Sequence, residues 1–570
     1  MKICTQCQKQ FEVTSADREF YAKVKVPEPT LCPDCRYQRR IAYRNERNLY
    51  QNKCGLCKKA IISIFSVDKP YTVYCGDCWF SDKWNPLSYG REFDFSRPFF
   101  EQFKELQQAV PQLYAFVSNN VNSVYTNGSQ DNKDCYLLFV SDHNENTHYS
   151  YSVFDCRDVV DSIDSTKVEL SYELSGCSNC YHCFYSIDCH NCNDVYFSVD
   201  CTGCSNCFGC SNLRNKSFYF FNEQLSPDEY RKRVAEYRLG SYGTIQKLLA
   251  KRKGSLGSAL YRYYHGINNH DSTGDYLKLT KNAKRCFESN GIEDSAFLTH
   301  GYQSKDCYDG YVIVDRSELC YEGVSVIGAY NSQFLFFNAG ATDCRYCASI
   351  RYSKNCFGCV GVRQAEFCIF NKQYSEKEYR ELVPRIIEHM KKTGEYGEYF
   401  PIANSPFAYN ETAAQEYYPL TKEAATARGL QWKDDIGGTP QQPTLQITAI
   451  PDDIKDVKDT IVNEIFGCES CGKNYRIVAQ ELGFYMRENV PLPRKCFNCR
   501  HLDRLTIRNP RKLWKRKCNC GGAVSGNGIR KNTAAHAHGA SPCPNEFETT
   551  YSPDRPETVY CEQCYQSEMA

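Results

Sequence analysis

Methionine is nearly absent from this 570-residue chain, at four residues, and no apolar run approaches the ~20 residues that a bilayer-spanning helix needs. With a mean hydropathy of −0.58, a membrane protein is not expected. The opening Met1-Lys2-Ile3-Cys4-Thr5 lacks a basic stretch followed by an apolar core, so nothing marks the chain for export. Disulfides therefore have no oxidising compartment to form in, and a cytoplasmic setting is the expectation. A Walker A loop, a dinucleotide glycine fingerprint, a nucleophile elbow and a His-Glu-x-x-His helix are all missing. Asp and Glu are scattered through 131–200, but no pair is set apart by spacing as acid and base. The reading is a protein that is not an enzyme. A thiol- or metal-dependent enzyme using the central cysteines remains a third alternative, because a thiolate needs only a lowered pKa.

What is present in excess is cysteine, at 36, and tyrosine, at 43. Near the front stand Cys4-x2-Cys7, Cys32-x2-Cys35, Cys54-x2-Cys57 and Cys75-x2-Cys78, and the rear keeps the same ruler. From Cys7 to Cys32 and from Cys471 to Cys496 there are 24 intervening residues; from Cys35 to Cys54 and from Cys499 to Cys518 there are 18. From Cys57 to Cys75 and from Cys543 to Cys561 there are 17. Two thiolates three residues apart sit on one tight knuckle, and a second knuckle closes a tetrahedral zinc site. The expected ligands are thus Cys4, Cys7, Cys32, Cys35, Cys54, Cys57, Cys75 and Cys78 in front, and Cys468, Cys471, Cys496, Cys499, Cys518, Cys543, Cys561 and Cys564 behind, for about four structural zinc ions. A polar, Gly-rich insertion separates Cys518 from Cys543, and Cys520, His536 and His538 are alternative ligands to Cys518. Spacing leaves open whether neighbouring knuckles pair in sequence order or cross-brace; sequence order is preferred, because the first two knuckles read as a self-sufficient module.

The net charge of +1 argues against a nucleic-acid binder until its distribution is read. Residues 36–53 carry a local +5 and residues 500–517 a local +7, which leaves the remainder at −11. If helices run over 33–48 and 497–508, Arg36, Arg39, Arg40, Arg44 and Arg47 fall within about 140° of one another. Arg500, Arg504, Arg508 and Arg511 repeat the register, Pro510 ends the rear helix, and the two faces finish in Tyr50 and Trp514. Guanidinium groups pair bidentately with phosphate and aromatic rings stack on bases. The expectation is that Arg36, Arg40, Arg44, Arg47, Arg500, Arg504, Arg508, Arg511 and Trp514 bind RNA or ribonucleoprotein. An acidic protein partner, with the chain as a protein–protein scaffold, is the alternative; a merely solvated face is the bland one.

The middle is duplicated. Cys207-Phe208-Gly209-Cys210 and Cys356-Phe357-Gly358-Cys359 are each followed by a Phe-Asn-x-Gln-x-Ser-x-x-Glu-Tyr-Arg string, whose Ser and Glu (Ser226 and Glu229, Ser375 and Glu378) form capping boxes that open helices. Cys135, Cys156 and Cys177 are 21 apart, after which the step shortens to 12 in Cys177-x2-Cys180, Cys189-x2-Cys192 and Cys201-x2-Cys204. Fixed steps with Asp, Asn or Gly at the breaks predict stacked β-rungs, with cysteine filling a narrow interior in preference to binding further metal through Cys177–Cys210.

The fold expected is multidomain α+β: two terminal bi-zinc treble-clef or zinc-ribbon modules flanking a duplicated, Cys- and Tyr-rich β-solenoid-like middle. Its segments are a zinc module at 1–90, repeat units with capped helices at 120–240 and 260–395, a linker with short helices at 396–465, and a second zinc module at 466–570. Within the linker, 420–429 reads as a short helix with a Gly stop, 437–443 as a flexible turn, and 451–457 as the approach to a helix; 251–258 reads as a weaker linker.

The string Cys468-x2-Cys471-Gly472-Lys473-x-Tyr475-Arg476, then Phe484-Tyr485, Pro491-x-Pro493 and Cys496-x2-Cys499-Arg500, resembles the zinc-ribbon domain found in many bacterial proteins. The front copy matches it with Cys4, Cys7, Phe11, Phe20-Tyr21, Pro27-x-Pro29, Cys32, Cys35 and Arg36. With Leu420-Thr421-Lys422-Glu423, Pro451-Asp452-Asp453-Ile454 and Tyr551-x-Pro553-Asp554-Arg555-Pro556-Glu557, most of the chain is similar to a group of long zinc-ribbon proteins of candidate-phyla-radiation bacteria. The resemblance implies zinc binding and a bacterial cytoplasm, and brings no activity with it.

Overall fold

The computed structural model describes residues 1–439, 441–522 and 531–569. It divides into two compact units, one of Met1–Ala115, Tyr264–Ile436 and Arg511–Leu513, the other of Phe116–Tyr263, Gly437–Pro510 and Trp514–Ala570. Each contains one zinc module and one solenoid, and the pairing crosses chain order. The N-terminal module packs on the second repeat, and the C-terminal module on the first.

In the second unit the solenoid is a parallel ladder in which Phe139 pairs with Tyr151, Tyr151 with Ile163, Val195 with Cys207 and Cys207 with Tyr219. The rung is therefore 12 residues. Every third residue is left-handed, as at Asp155, Asp158, Asp161 and Asp164, with φ between 50° and 56°. A rung is four sides of three residues, and its corners suit Asn and Asp, which tolerate this conformation, or Gly, as at Gly203 and Gly209. The residue after each corner points inward, so Cys177, Cys180 and Cys183 are successive inward positions of one rung and lie buried. The Cys-x2-Cys pairs of the middle express this triplet period. The step of 21 between Cys135, Cys156 and Cys177 is seven triplets rather than a rung, so these three thiols stand in different columns.

The triplet also explains why the interior is rich in Ser, Cys and Asn. An inward residue's amide is met by the side chain one rung earlier: Cys156 N–H donates to Asn144 Oδ1 (2.9 Å), Ser162 N–H to Ser150 Oγ (3.0 Å) and Cys210 N–H to Ser198 Oγ (3.1 Å). Thiols donate in turn to carbonyls, as Cys177 does to Ser175 O at 3.5 Å and Ser186 O at 3.6 Å. A buried polar backbone needs such partners, and small side chains supply them in a narrow tube.

The first unit repeats this build from Gly274–Lys278 to Glu366–Ile369. Its rung is also 12, as where Gln333 pairs with Arg345, except where Tyr308 pairs with Tyr321 and the extra residue is absorbed at Asp315 and Arg316, both left-handed. Both solenoids end in an antiparallel hairpin, Ser217–Phe220 with Glu223–Gln224 and Glu366–Ile369 with Lys372–Gln373. The capped helices follow, Pro227–Ala235 from Ser226 and Glu376–Lys392 from Ser375.

Three local expectations are corrected. The front arginine helix runs over Pro33–Ile41 and stops short of residue 48, because Asn45 turns its side chain on the backbone, accepting from Asn48 N–H (3.0 Å) and donating to Ile64 O (2.9 Å). Residues 251–258 are no linker but the end of the Tyr242–Ser258 helix, anchored where buried Arg252 donates to Tyr185 O at 2.6 Å. The approach to Cys468 holds only short 3-10 turns, Ile454–Asp456 and Asp459–Asn463. The helix read at 420–429 is Lys422–Ala427, capped by Thr421 and followed by left-handed Gly429. In the 437–443 turn Gly437 and Gly438 have positive φ, and Pro440 lies outside the described residues. Among the described residues no helix is long and apolar enough to cross a membrane.

Candidate metal centres and the arginine faces

Four groups of thiols close in sequence order: Cys4, Cys7, Cys32 and Cys35; Cys54, Cys57, Cys75 and Cys78; Cys468, Cys471, Cys496 and Cys499; Cys518, Cys543, Cys561 and Cys564. The local chain builds each in the same way. The first knuckle turns through hydrogen bonds such as Cys4 N–H to Lys9 O and Gln8 N–H to Cys4 O, with Gln8 left-handed. The second knuckle opens a helix: Cys32, Cys75 and Cys496 are N-caps, and Glu562–Met569 begins directly after Cys561. Helix-terminal amides thereby face sulfur, as Cys75 N–H does Cys54 Sγ (3.4 Å), Cys496 N–H does Cys468 Sγ (3.3 Å) and Cys561 N–H does Cys518 Sγ (3.2 Å).

Sulfur spacing tests the fit of a metal. Cys7 and Cys32, Cys57 and Cys75, and Cys471 and Cys496 each stand 3.7 Å apart, and Cys543 and Cys561 3.8 Å. A tetrahedron with Zn–S bonds of about 2.3 Å has edges of about 3.75 Å. In each cage at least one thiol is already inclined to ionise, and in the first both Cys4 and Cys32 are lowered. Cys32 falls to about 5, its thiolate held by the Cys35 side chain, and Cys561 to about 4, held by that of Cys518. Burial works against Cys54 and Cys468, yet the amides of Cys75 with Cys57, and of Cys496 with Cys471, bring them to about 6 and about 7. These are closed four-thiolate zinc cages that hold the modules together.

Comparison with known proteins agrees at the front of the chain. Residues 1–44 match the family model described as "Probable treble clef domain". The other Cys4 groups make zinc-ribbon-like modules of the same kind. No curated protein matches the chain. Among solved structures, a "putative acetyltransferase" from Desulfovibrio desulfuricans G20 is 10% identical, and the match covers 41% of this chain and 66% of that one, just under two thirds of its length, with a TM-score of 0.10. A similarity that low carries no argument about this chain.

The arginine faces are where the structure departs from expectation. They are not solvent-facing. In the first unit Arg36 and Arg40, each 1% exposed, share Asp309: Arg36 Nη2 lies 2.9 Å from Oδ2 and Arg40 Nη1 3.0 Å from Oδ1. Arg40 also reaches Glu322 (3.1 Å), which takes Arg39 on its other oxygen (2.9 Å). Arg44 pairs with Glu46 (3.0 Å), Arg47 with Glu416 (2.7 Å) and Arg511 with Glu288 (2.5 Å). In the second unit Arg500 and Arg504 share Asp161 at 2.8 and 2.9 Å, and Arg508 holds Asp164 at 2.8 Å. Trp514 is half-buried in a strand, paired with Thr549. The one-signed helix face exists because most of its counter-charges, Asp309 and Glu322 in one unit and Asp161 and Asp164 in the other, are carried on the solenoid, hundreds of residues away in the chain. One signal for them was present: Asp161 and Asp309 are 148 apart and Cys207 and Cys356 149, the difference being the one-residue insertion at Asp315–Arg316, so each duplicated module meets the same solenoid position.

The central cysteines point into the solenoids, where burial pushes Cys135 up to about 11 and Cys156 and Cys286 up to about 12. Among the described residues they join none of the metal-competent groups. Cys518 belongs to a four-thiol cage, and Cys520, His536 and His538 gather separately around Cys564.

Proposed function

We propose that this protein is a non-catalytic scaffold in which zinc-pinned modules grip β-solenoids and stiffen them as surfaces for a protein partner. The observation that carries this reading is the inward turn of the arginine faces: Asp309 and Asp161, both fully buried carboxylates of the solenoids, each take two guanidinium groups. Those cations are spent on the protein itself. The burial of the middle's thiols inside the solenoids supports the non-catalytic part, since a reactive cysteine needs access to its substrate.

A partner surface is supported by apolar residues that the second solenoid leaves exposed. Ile267, Tyr302 and Ile327 are 58%, 47% and 43% exposed, and Leu279, Tyr330 and Tyr352 are exposed with them. Single exposed apolar residues need no explanation, but Ile267, Tyr302 and Ile327 recur in one ladder column that also holds Lys278 and Asn290, with the others on neighbouring positions, and such a cluster suits an interaction surface rich in Tyr. A second reading, RNA or ribonucleoprotein, rests on what stays exposed beside Trp514, namely Lys515 and Lys517.

The test uses the full chain after nuclease treatment. The scaffold reading expects a defined protein partner whose capture is lost in Ile327→Glu with Tyr330→Glu, at unchanged circular dichroism. If the chain instead binds single-stranded RNA with an affinity that falls steeply with salt and drops in Lys515→Glu with Lys517→Glu, the RNA reading replaces it. The buried arginines are unsuitable probes, because reversing their charge breaks the fold before it reports on a ligand.

A further inference from the structure

We infer that the C-terminal module holds a dinuclear zinc centre: Cys520, His536, His538 and Cys564 bind a fifth ion, and the Cys564 thiolate bridges it to the ion caged by Cys518, Cys543 and Cys561. The four ligand atoms all lie within 4.8 Å of one another. Cys520 Sγ is 3.2 Å from His536 Nδ1 and 3.3 Å from His538 Nε2, and His538 Nε2 is 3.3 Å from Cys564 Sγ. With Zn–S near 2.3 Å and Zn–N near 2.0–2.1 Å, the edge of a tetrahedron between sulfur and nitrogen is about 3.5 Å.

Thiol–imidazole hydrogen bonds do not account for this cluster. His536 Nε2 lies 2.9 Å from Glu568 Oε1, a carboxylate held by Thr533 N–H (3.0 Å) and Ala534 N–H (3.2 Å). That contact places a proton on Nε2, so that a neutral His536 presents its Nδ1 lone pair to Cys520. His538 Nδ1 lies 2.7 Å from Ser541 O, so its proton is there and Nε2 presents a lone pair between two sulfurs. Asn532 Nδ2 donates to Cys520 Sγ at 3.1 Å, which uses that sulfur as an acceptor. Two nitrogen lone pairs and two sulfurs make three S···N contacts of 3.2–3.3 Å, and the two thiol protons serve only two of them. A cation satisfies them all.

The surroundings fit a metal as well. A carboxylate and a backbone carbonyl behind the two imidazoles are the partners that orient zinc-bound histidines. The side chains of His536 and Glu568 are 2% and 0% exposed. Sharing Cys564 also eases the charge: two Zn2+ ions against five thiolates leave one net negative charge, where a single four-thiolate cage leaves two. Residues 531–542, the described end of the insertion that breaks the rear ruler, thus deliver His536 and His538. The inference stands independently of the partner proposed above.

Metal analysis of the full chain, purified without chelator, tests it. Wild type is expected to carry five zinc ions per chain, and His538→Ala or His536→Ala with Cys520→Ser four, at unchanged circular dichroism. Four ions in the wild type, or five in both, overturns the inference. If the variants fail to fold, wild-type chain reconstituted with Co(II) decides: a thiolate-bridged pair shows magnetic coupling, and five independent high-spin ions would refute the bridge.

Discussion

The two grips differ in one carboxylate's fate, and the difference separates what a buried charge costs from what a buried pair secures. In the first unit Glu322 is held from both sides, by Arg39 and Arg40. In the second, the 149-residue offset places Glu173 at the equivalent position, but the counterpart of Arg39 is Asp503, which pairs with Lys495 at 2.8 Å instead. Burial raises the Glu173 carboxyl above its ordinary range, with Arg252, Arg504 and Arg500 only partly offsetting it. Arg504, the counterpart of Arg40, donates instead to Tyr149 O (3.2 Å). Removing one partner of a buried pair leaves an uncompensated charge, whereas removing an unmatched buried charge relieves one. The same fold position therefore predicts opposite signs.

The largest effect should come from the metal. Structural zinc contributes about 10–16 kcal/mol in small zinc modules, so chelation should abolish hydrogen-exchange protection of the Pro33–Ile41 and Phe497–Ile507 helices in both units. Ladder amides deep in the solenoids, as at Val195 and Leu335, should remain protected for longer; equal loss everywhere would mean that the solenoids cannot stand without their modules.

Next come the shared aspartates. Asp309→Asn and Asp161→Asn each leave two buried guanidiniums short of a counter-charge and should destabilise their units by about 3–5 kcal/mol in urea unfolding. A large effect in one unit alone would show that the two grips are not equivalent.

Glu322→Gln and Glu173→Gln sharpen the contrast. The first should cost about 1–3 kcal/mol. The second should be neutral or stabilising by up to about 1 kcal/mol at neutral pH. Its pH dependence follows from linkage: a carboxyl whose folded pKa is raised contributes stability that is complete below its unfolded pKa and is lost as pH rises through the folded one. The gain from Glu173→Gln should therefore shrink toward about pH 4, the ordinary Glu range; a gain that persists unchanged in acid would reject the titration account. The smallest effect is expected of Asp503→Arg, which rebuilds the missing grip on Glu173 and should add about 0.5–1 kcal/mol in thermal unfolding.

Legibility in the sequence followed the range of the interaction. The Ser226 cap, which forms without the return bond from Glu229, the Ser375 capping box and the Thr421 cap lie within four residues of what they bind, and all three helices form where the residues place them. The triplet period was visible only as Cys-x2-Cys spacing, which resembles a metal knuckle; the distinction needs the left-handed corners at every third residue, which Asp, Asn, Tyr, Leu and Lys all adopt here without a common residue type. The arginine faces misled because a sequence displays one side of an ion pair at a time.

Local spacing determined which cysteines form knuckles, since two thiols on one knuckle meet whatever the rest of the chain does; the structure decided that neighbouring knuckles close in sequence order and that Cys518 completes the fourth cage. Which solenoid each module grips was decided only in three dimensions. Asp309 is 273 residues from Arg36, and Asp161 is 339 from Arg500. No local propensity acts over such a span, and only packing tells a buried pair from a solvated charge.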